Sequence, residues 1–183
     1  MTKSKKFIQM QNRNAKRKAQ SANKILGIDP GYGRLGVAIV ESKNNKPKLM
    51  HSECFETSSK ISHPERLGLV LGKIEEIIKK FKPEKLAIET LIFSKNVKTA
   101  LKVAEVRGVV IATSVTRGLQ IFEYHPNSIK IAVTGYGKSD KKQIIFMLEK
   151  ILGLKKKFKH DDEYDAIAVA LTCEASKNYP HNS

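Results

Sequence analysis

Acidic residues are scarce in this chain. Its 183 residues carry 18 Asp and Glu against 34 Lys and Arg, a formal net charge of +16. Solubility asks for a net charge of only about 2 to 8, so the excess points to a polyanionic partner, either nucleic acid or an anionic membrane surface. Cysteine is scarce as well. Cys54 and Cys173 are the only two, far apart and in no metal-like spacing. That argues against a disulfide framework and fits a reducing, cytoplasmic setting. No apolar run approaches the roughly 20 residues of a membrane span, and the N-terminal residues lack the apolar core of a secretory signal. Internal repeats are absent. What remains is a 40% apolar chain, long enough for one domain with a substantial core and too short for two.

Residues 1–23 differ from the rest. They hold seven basic residues (Lys3, Lys5, Lys6, Arg13, Lys16, Arg17 and Lys18) and no acidic ones. With Phe7, Ile8 and Met10 as their only bulky apolar residues apart from Met1, they read as a disordered basic arm able to track phosphates. An inert extension is the competing reading. A transit peptide fits less well, because the segment is Lys-rich and poor in serine. Residues 24–178 form the regular domain, and 179–183 read as a disordered tail.

Within the domain, Ile25–Asp29 reads as a short buried strand ending in the turn Pro30–Gly33. Leu35–Val40 and residues 48–56 follow as strands joined by short turns, which makes them antiparallel. His63-Pro64 opens a helix with Leu67, Val70, Leu71, Ile74, Ile77 and Ile78 on one face. Leu86–Glu89 is a strand, a long helix runs from about Lys98 to Thr116, and Leu119–Tyr124 is a fifth strand. Two shorter helices at 126–132 and 139–152, a basic loop at Lys155–Lys159 and a helix from Asp161 to Ser176 complete the chain. On the last helix, Ile167, Ala170, Leu171 and Ala175 mark the buried side. This order predicts an α/β fold: one five-stranded mixed sheet flanked by helices.

Two strand ends carry an acid where a core strand would have none: Asp29 after Ile-Leu-Gly-Ile, and Glu89 after Leu-Ala-Ile. If these strands are neighbours, the two carboxylates meet at one end of the sheet, at a cost that a cation between them removes. An all-oxygen site selects Mg²⁺ or Mn²⁺. On the last helix, Asp162 and Asp165 (i, i+3) share a face, and so do Asp161 and Asp165 (i, i+4), so spacing leaves that choice open. Acids in a first turn also suit the helix dipole or serve as an N-cap. That explanation does not cover Asp165, which the small, apolar run Ala166–Ala170 follows at once. Converging acids beside a basic surface fit a nuclease in which two divalent ions clamp a phosphodiester.

The segments ILGIDPGYGRLGVAIVE, LAIETLIFSKNVKTALKVAEVRGVVIA, FEYHPNSIKIAVTGYGKSDKKQI and DDEYDAIAVALT resemble the RuvC family of Holliday-junction resolvases, in the RNase H/integrase superfamily. The resemblance spans about Ile25 to Ala175. It implies an RNase H-like fold and a homodimer that cuts two symmetric strands of a four-way junction with Mg²⁺, two ions per active site and Mn²⁺ a possible substitute, in recombination and repair beside a branch-migration motor. It assigns Asp29, Glu89, Asp162 and Asp165 as the metal-binding catalytic acids, because the helix pair is written D-x-x-D-A, and it passes over Asp161. Lys130 and Lys141 match lysines near the cleaved phosphate, where an ammonium offsets transition-state charge. Lys95, Lys138 and Lys142 are expected to contact DNA.

One departure stands out. The family often carries an aromatic three residues after the Glu, able to stack on an unpaired base; here Ile92 holds that place and Phe93 follows. Either Phe93 stacks or Ile92 wedges, with a core role for Phe93 as the competing reading. The helix from Lys98 to Thr116 resembles the family's dimer helix, and Leu101, Val103, Ala104, Val109, Val110 and Ala112 exceed what one buried face needs.

Three other readings compete. An RNase H-like nuclease that trims ribosomal RNA precursors shares the glycine-rich hairpin. Actin-like ATPases carry a similar phosphate-binding hairpin but need two domains. A non-catalytic junction-binding protein would not need all four acids. If the basic arm tracks DNA, deleting residues 1–23 weakens junction binding and flattens its dependence on salt, because fewer counterions are released. Affinity measured across a salt series reads this directly, and an unchanged slope would place the arm off the DNA.

Overall fold

In the computed structural model, residues 23–44, 46–91, 97–154 and 157–176 are described. The basic arm up to residue 22, Ile92, Phe93, Lys95 and the tail 179–183 lie outside them.

Five strands form one sheet in the order β3-β2-β1-β4-β5. They are β1 (Asn23–Pro30), β2 (Arg34–Lys43), β3 (Lys46–Glu56), β4 (Lys85–Glu89) and β5 (Gln120–Tyr124). The first three pair antiparallel through short turns, whereas β1–β4 and β4–β5 are parallel. Each parallel connection contains a helix, as a crossover requires. The helices are α1 (His63–Phe81), α2 (Val97–Thr116), α3 (Pro126–Thr134), α4 (Lys141–Leu152) and α5 (Asp161–Ala175). The element order matches the one expected from sequence.

Alternation along the strands splits the core in two. Leu26, Ile28, Val37, Ile39, Leu86 and Ile88 face α1 and α2, where Val70, Ile74, Ile77, Val106 and Val110 cover them. Ile25, Ala38, Val40 and Ala87 face α3, α4 and α5. Because β1 is covered on both faces, it reads as an unbroken apolar run rather than an alternating one.

Helix boundaries follow from their caps. Ser62 and Glu65 make a reciprocal capping box at α1, and Asp140 and Gln143 make another at α4. Asp140 therefore places the start of α4 at Lys141, two residues after the expected one. Gly135, in the left-handed region with φ 77°, ends α3 two residues later than expected. The third strand begins at Lys46 and runs through Pro47. Proline is tolerated there because β3 is an edge strand.

Two residues expected in the core are outside it. Leu71 is 43% exposed, because the buried stripe of α1 runs through Arg66, Val70, Ile74, Ile77 and Ile78. Ala175 is exposed at the last turn of α5. The rest of α5 is buried nearly all round, from Tyr164 to Cys173, since the sheet lies beneath it and α3 and α4 pack beside it.

The packing of α5 on the sheet is too close for side chains at two positions. A Cβ on Gly27 would overlap the carbonyl oxygen of Ala166 and fall 2.7 Å from the Ala170 Cβ. A Cβ on Gly36 would overlap the carbonyl oxygen of Asp162. Helix backbone cannot give way as a flexible side chain would. Gly27→Ala and Gly36→Ala are each expected to cost about 3 kcal/mol or more. Gly68→Ala, on the open face of α1 with nothing within 4 Å, is expected to stabilise by about 0.5–1 kcal/mol. Urea unfolding of the three variants measures the contrast.

Candidate active site

Asp29 and Glu89 come together as the strand-end argument required. Ile28 of β1 pairs with Ile88 of β4 in parallel register, so the next residue of each strand stands at the same end of the sheet. Both side chains point to the face covered by α5, in line with Gly27 on β1 and Ala87 on β4. The close approach at Gly36 sets the first turn of α5 over this end and brings Asp162 and Asp165 toward Asp29. No acid is the N-cap of α5. His160 holds that position without a side-chain capping bond, and Asp161, Asp162 and Glu163 fill the first turn. Asp161 is exposed, whereas Asp162 and Asp165 are half-buried.

The electrostatics record the convergence. Burial, then Asp165, Glu89 and Asp162 in turn, raise the Asp29 carboxyl from 3.8 to about 7, against a smaller opposing effect of Lys141. Burial and Asp165 raise Glu89, with Lys141 and Lys130 opposing. Asp165 is raised by burial, and its hydrogen bond from Lys141 pulls the other way. A hard, oxygen-only donor set that cannot fully ionise by itself fits a divalent cation of the Mg²⁺ class. No three of these carboxylates bring oxygens mutually within 4.8 Å, a separation consistent with like-charge repulsion.

Lys141, the first residue of α4, donates to Asp165 Oδ2. Lys130 of α3 joins it in lining a cleft of about 320 Å³ with Glu89, Asp165, Ile129 and Ile144. Lys138 and Lys142 are exposed on the adjoining surface. The expected positions of Ile92, Phe93 and Lys95 lie just beyond Glu89, outside the described residues.

Three residues near the site escaped the sequence reading. Arg34, at the start of β2, places its Nε 3.4 Å from Asp162 Oδ2. Arg107 of α2 donates to the Glu89 carbonyl at 3.1 Å and pairs with Glu123. Arg66 is 5% exposed and pins the turn after Asp29, donating to the Tyr32 carbonyl at 2.8 Å and the Thr57 hydroxyl at 2.9 Å. Its guanidinium also lies 3.9 Å from the Tyr32 ring centre. The only sequence signal for Arg66 was its place in the apolar stripe of α1.

A five-stranded mixed sheet with a leading antiparallel hairpin, acids at adjacent strand ends and two more on the helix crossing them define an RNase H-like nuclease. A family model for the crossover junction endodeoxyribonuclease RuvC matches residues 25–173, and the chain belongs to that family. It is 43% identical over 148 residues to the RuvC of Finegoldia magna, covering 81% of this chain and 90% of that one. The RuvC of Caldicellulosiruptor saccharolyticus is 44% identical over 149 residues, with 81% and 90% covered. Among solved structures, Thermus thermophilus RuvC in complex with Holliday junction substrate superposes with a TM-score of 0.78 at 33% identity, covering 82% of this chain and 92% of that one.

The raised carboxyls have a consequence for stability. Without bound cations, the raised Asp29 pKa lets the folded chain keep, from about pH 4 to about pH 7, a proton that the unfolded chain releases. The folded state then binds more protons, so stability falls as pH rises through this window. Without divalent cations, Asp29→Asn is expected to be more stable than the parent at pH 8, by roughly 2–4 kcal/mol, and to lose that advantage near pH 4. Denaturant unfolding at the two pH values checks both sign and window.

Proposed function

We propose that this chain resolves four-way DNA junctions by symmetric paired nicks, hydrolysing phosphodiesters with two Mg²⁺ ions per active site, in recombination and repair. The observation that carries the reading is the gathering of Asp29, Glu89, Asp162 and Asp165 at one end of the sheet, beside a cleft lined by Lys130 and Lys141. Membership of a family of metal-dependent junction nucleases supports it. The RNA-processing, ATPase and non-catalytic readings have no comparable support.

The four carboxylates would hold the cations and orient them against the scissile phosphate. Bound there, divalent ions supply Lewis acidity to the attacking water and to the leaving oxygen. Lys141 would exchange its bond to Asp165 for one to a phosphate oxygen, and Lys130 lines the same cleft. Both ammonium groups would offset charge that grows in the transition state. Arg34 would hold Asp162 in its rotamer. Lys138 and Lys142, and beyond the described residues Lys95 and the basic arm, would follow the DNA backbone. Ile92 or Phe93 would enter the junction centre.

A homodimer would present two such sites to two symmetric strands. Helix α2 supports this assembly, with Leu101 and Val115 each 55% exposed on it. A branch-migration motor is the further partner proposed. No helix among the described residues is long and apolar enough to cross a membrane, and a cytoplasmic location is proposed.

Cleavage of a mobile four-way junction in Mg²⁺, compared with linear duplex and RNA–DNA hybrid, tests the function; preferential cutting of the hybrid would overturn it. Asp29→Asn, Glu89→Gln, Asp162→Asn and Asp165→Asn are each expected to lower cleavage on the order of 10³-fold or more while junction binding survives. Near-normal cutting by any of them would remove that residue from the catalytic set.

A further inference from the structure

A second group of ligating side chains converges where the edge strand meets the start of α5. Cys54 and Glu56 stand two residues apart on β3 and so share one face of it. His160, the N-cap of α5, spends no side-chain hydrogen bond on capping. The Cys54 thiol, a Glu56 carboxylate oxygen and a His160 ring nitrogen all lie within 4.8 Å of one another, the only such trio among the described residues. His160 Nε2 is 3.6 Å from Glu56 Oε1. Ligands of a tetrahedral zinc ion at ordinary bond lengths lie about 3.3–3.6 Å apart, so only a small closing movement is needed. The Glu56 side chain, 58% exposed, has the freedom to make it.

An ion pair accounts for Glu56 and His160 but leaves the thiol at the same point without a role. The charges acting on the thiol are mostly negative: Asp162 acts most strongly, Arg34 opposes it, and Glu56 and Glu163 add to it. Burial first, and these acids after it, push the thiol up to about 11, so Cys54 is not a reactive thiolate in the metal-free chain. The donor set also differs in kind from the carboxylate centre. Sulfur and imidazole nitrogen select zinc-type ions, whereas Mg²⁺ takes oxygen.

The geometry points to a second cation site in which Cys54 Sγ, a His160 ring nitrogen and a Glu56 oxygen bind a zinc-type divalent ion, with water as the fourth ligand. On binding, the thiol proton leaves to solvent as the metal–sulfur bond forms. The ion ties edge strand β3 to the first turn of α5, two residues before Asp162. It braces the helix that carries half of the acid cluster.

Cobalt(II), a spectroscopic stand-in for zinc, tests this on the full-length chain in excess Mg²⁺. The expected result is an intense near-ultraviolet thiolate-to-cobalt absorption at one ion per chain, bleached by added zinc. Cys54→Ser should abolish it, and His160→Ala should weaken cobalt binding at least tenfold. Cys173→Ser and Asp29→Asn should retain it, since one removes the other, buried cysteine and the other disables the carboxylate centre. Zinc should also raise the Tm of the parent but not of Cys54→Ser. Absence of the thiolate band, its survival in Cys54→Ser, or unchanged affinity in His160→Ala would each overturn the site. The His160 variant keeps the test decisive if Cys54→Ser does not fold.

Discussion

Helix α5 lies so close to β1 and β2 that the two positions beneath it admit no side chain. At Gly27 and Gly36 the strand backbone meets helix backbone, and any larger residue would lift the helix off the sheet. The rest of the molecule is arranged around this contact. It buries α5 almost completely and gives α3 and α4 a surface to pack against. It also lowers the first turn of α5 onto the end of β1. Without that approach, Asp162 and Asp165 would be surface acids on a helix, and Asp29 a misplaced acid at a strand end.

The price of the arrangement is electrostatic. Carboxylates pressed together in a partly buried site keep protons that an exposed acid would release, and Asp29 shows this most strongly. The protein offsets only part of the repulsion, through Lys141 on Asp165 and Arg34 on Asp162. The remainder is a standing affinity for cations inside a chain that is otherwise strongly basic. The two signs are not in conflict, because they act over different distances. The basic surface draws a polyanion over a Debye length of about 10 Å, while the acids act over a few ångströms. The same helix start also meets Cys54 and Glu56 of β3 through His160, so two donor sets of different chemistry adjoin one turn of α5.

Supports on the opposite face of the sheet hold the acids in place. Arg66 reaches from α1 to fix the turn that follows Asp29, and Arg107 reaches from α2 to the Glu89 carbonyl. Burying Arg66 is tolerable because its guanidinium is hydrogen-bonded and stacked on Tyr32. Each of these arginines acts on backbone at the site, and so sets geometry without entering the acid cluster.

The sequence by itself determined the element order, the mixed sheet and the acids at the ends of β1 and β4. Apolar runs, turn residues and misplaced charges are local signals, and local signals survive without a fold. It also named Asp162 and Asp165, although spacing alone left Asp161 in contention until a family resemblance decided. The tertiary structure decided what depends on contacts between distant segments: that β1 and β4 are neighbours, that Gly27 and Gly36, within their strands, are the positions on which α5 docks, and that Arg66, in an apolar stripe, is buried while Leu71 is exposed. It also joined Cys54 and His160. They are 106 positions apart in the sequence, and no spacing rule could have related them. They meet only because the edge strand and the start of α5 are brought together by the packing of that helix across the sheet.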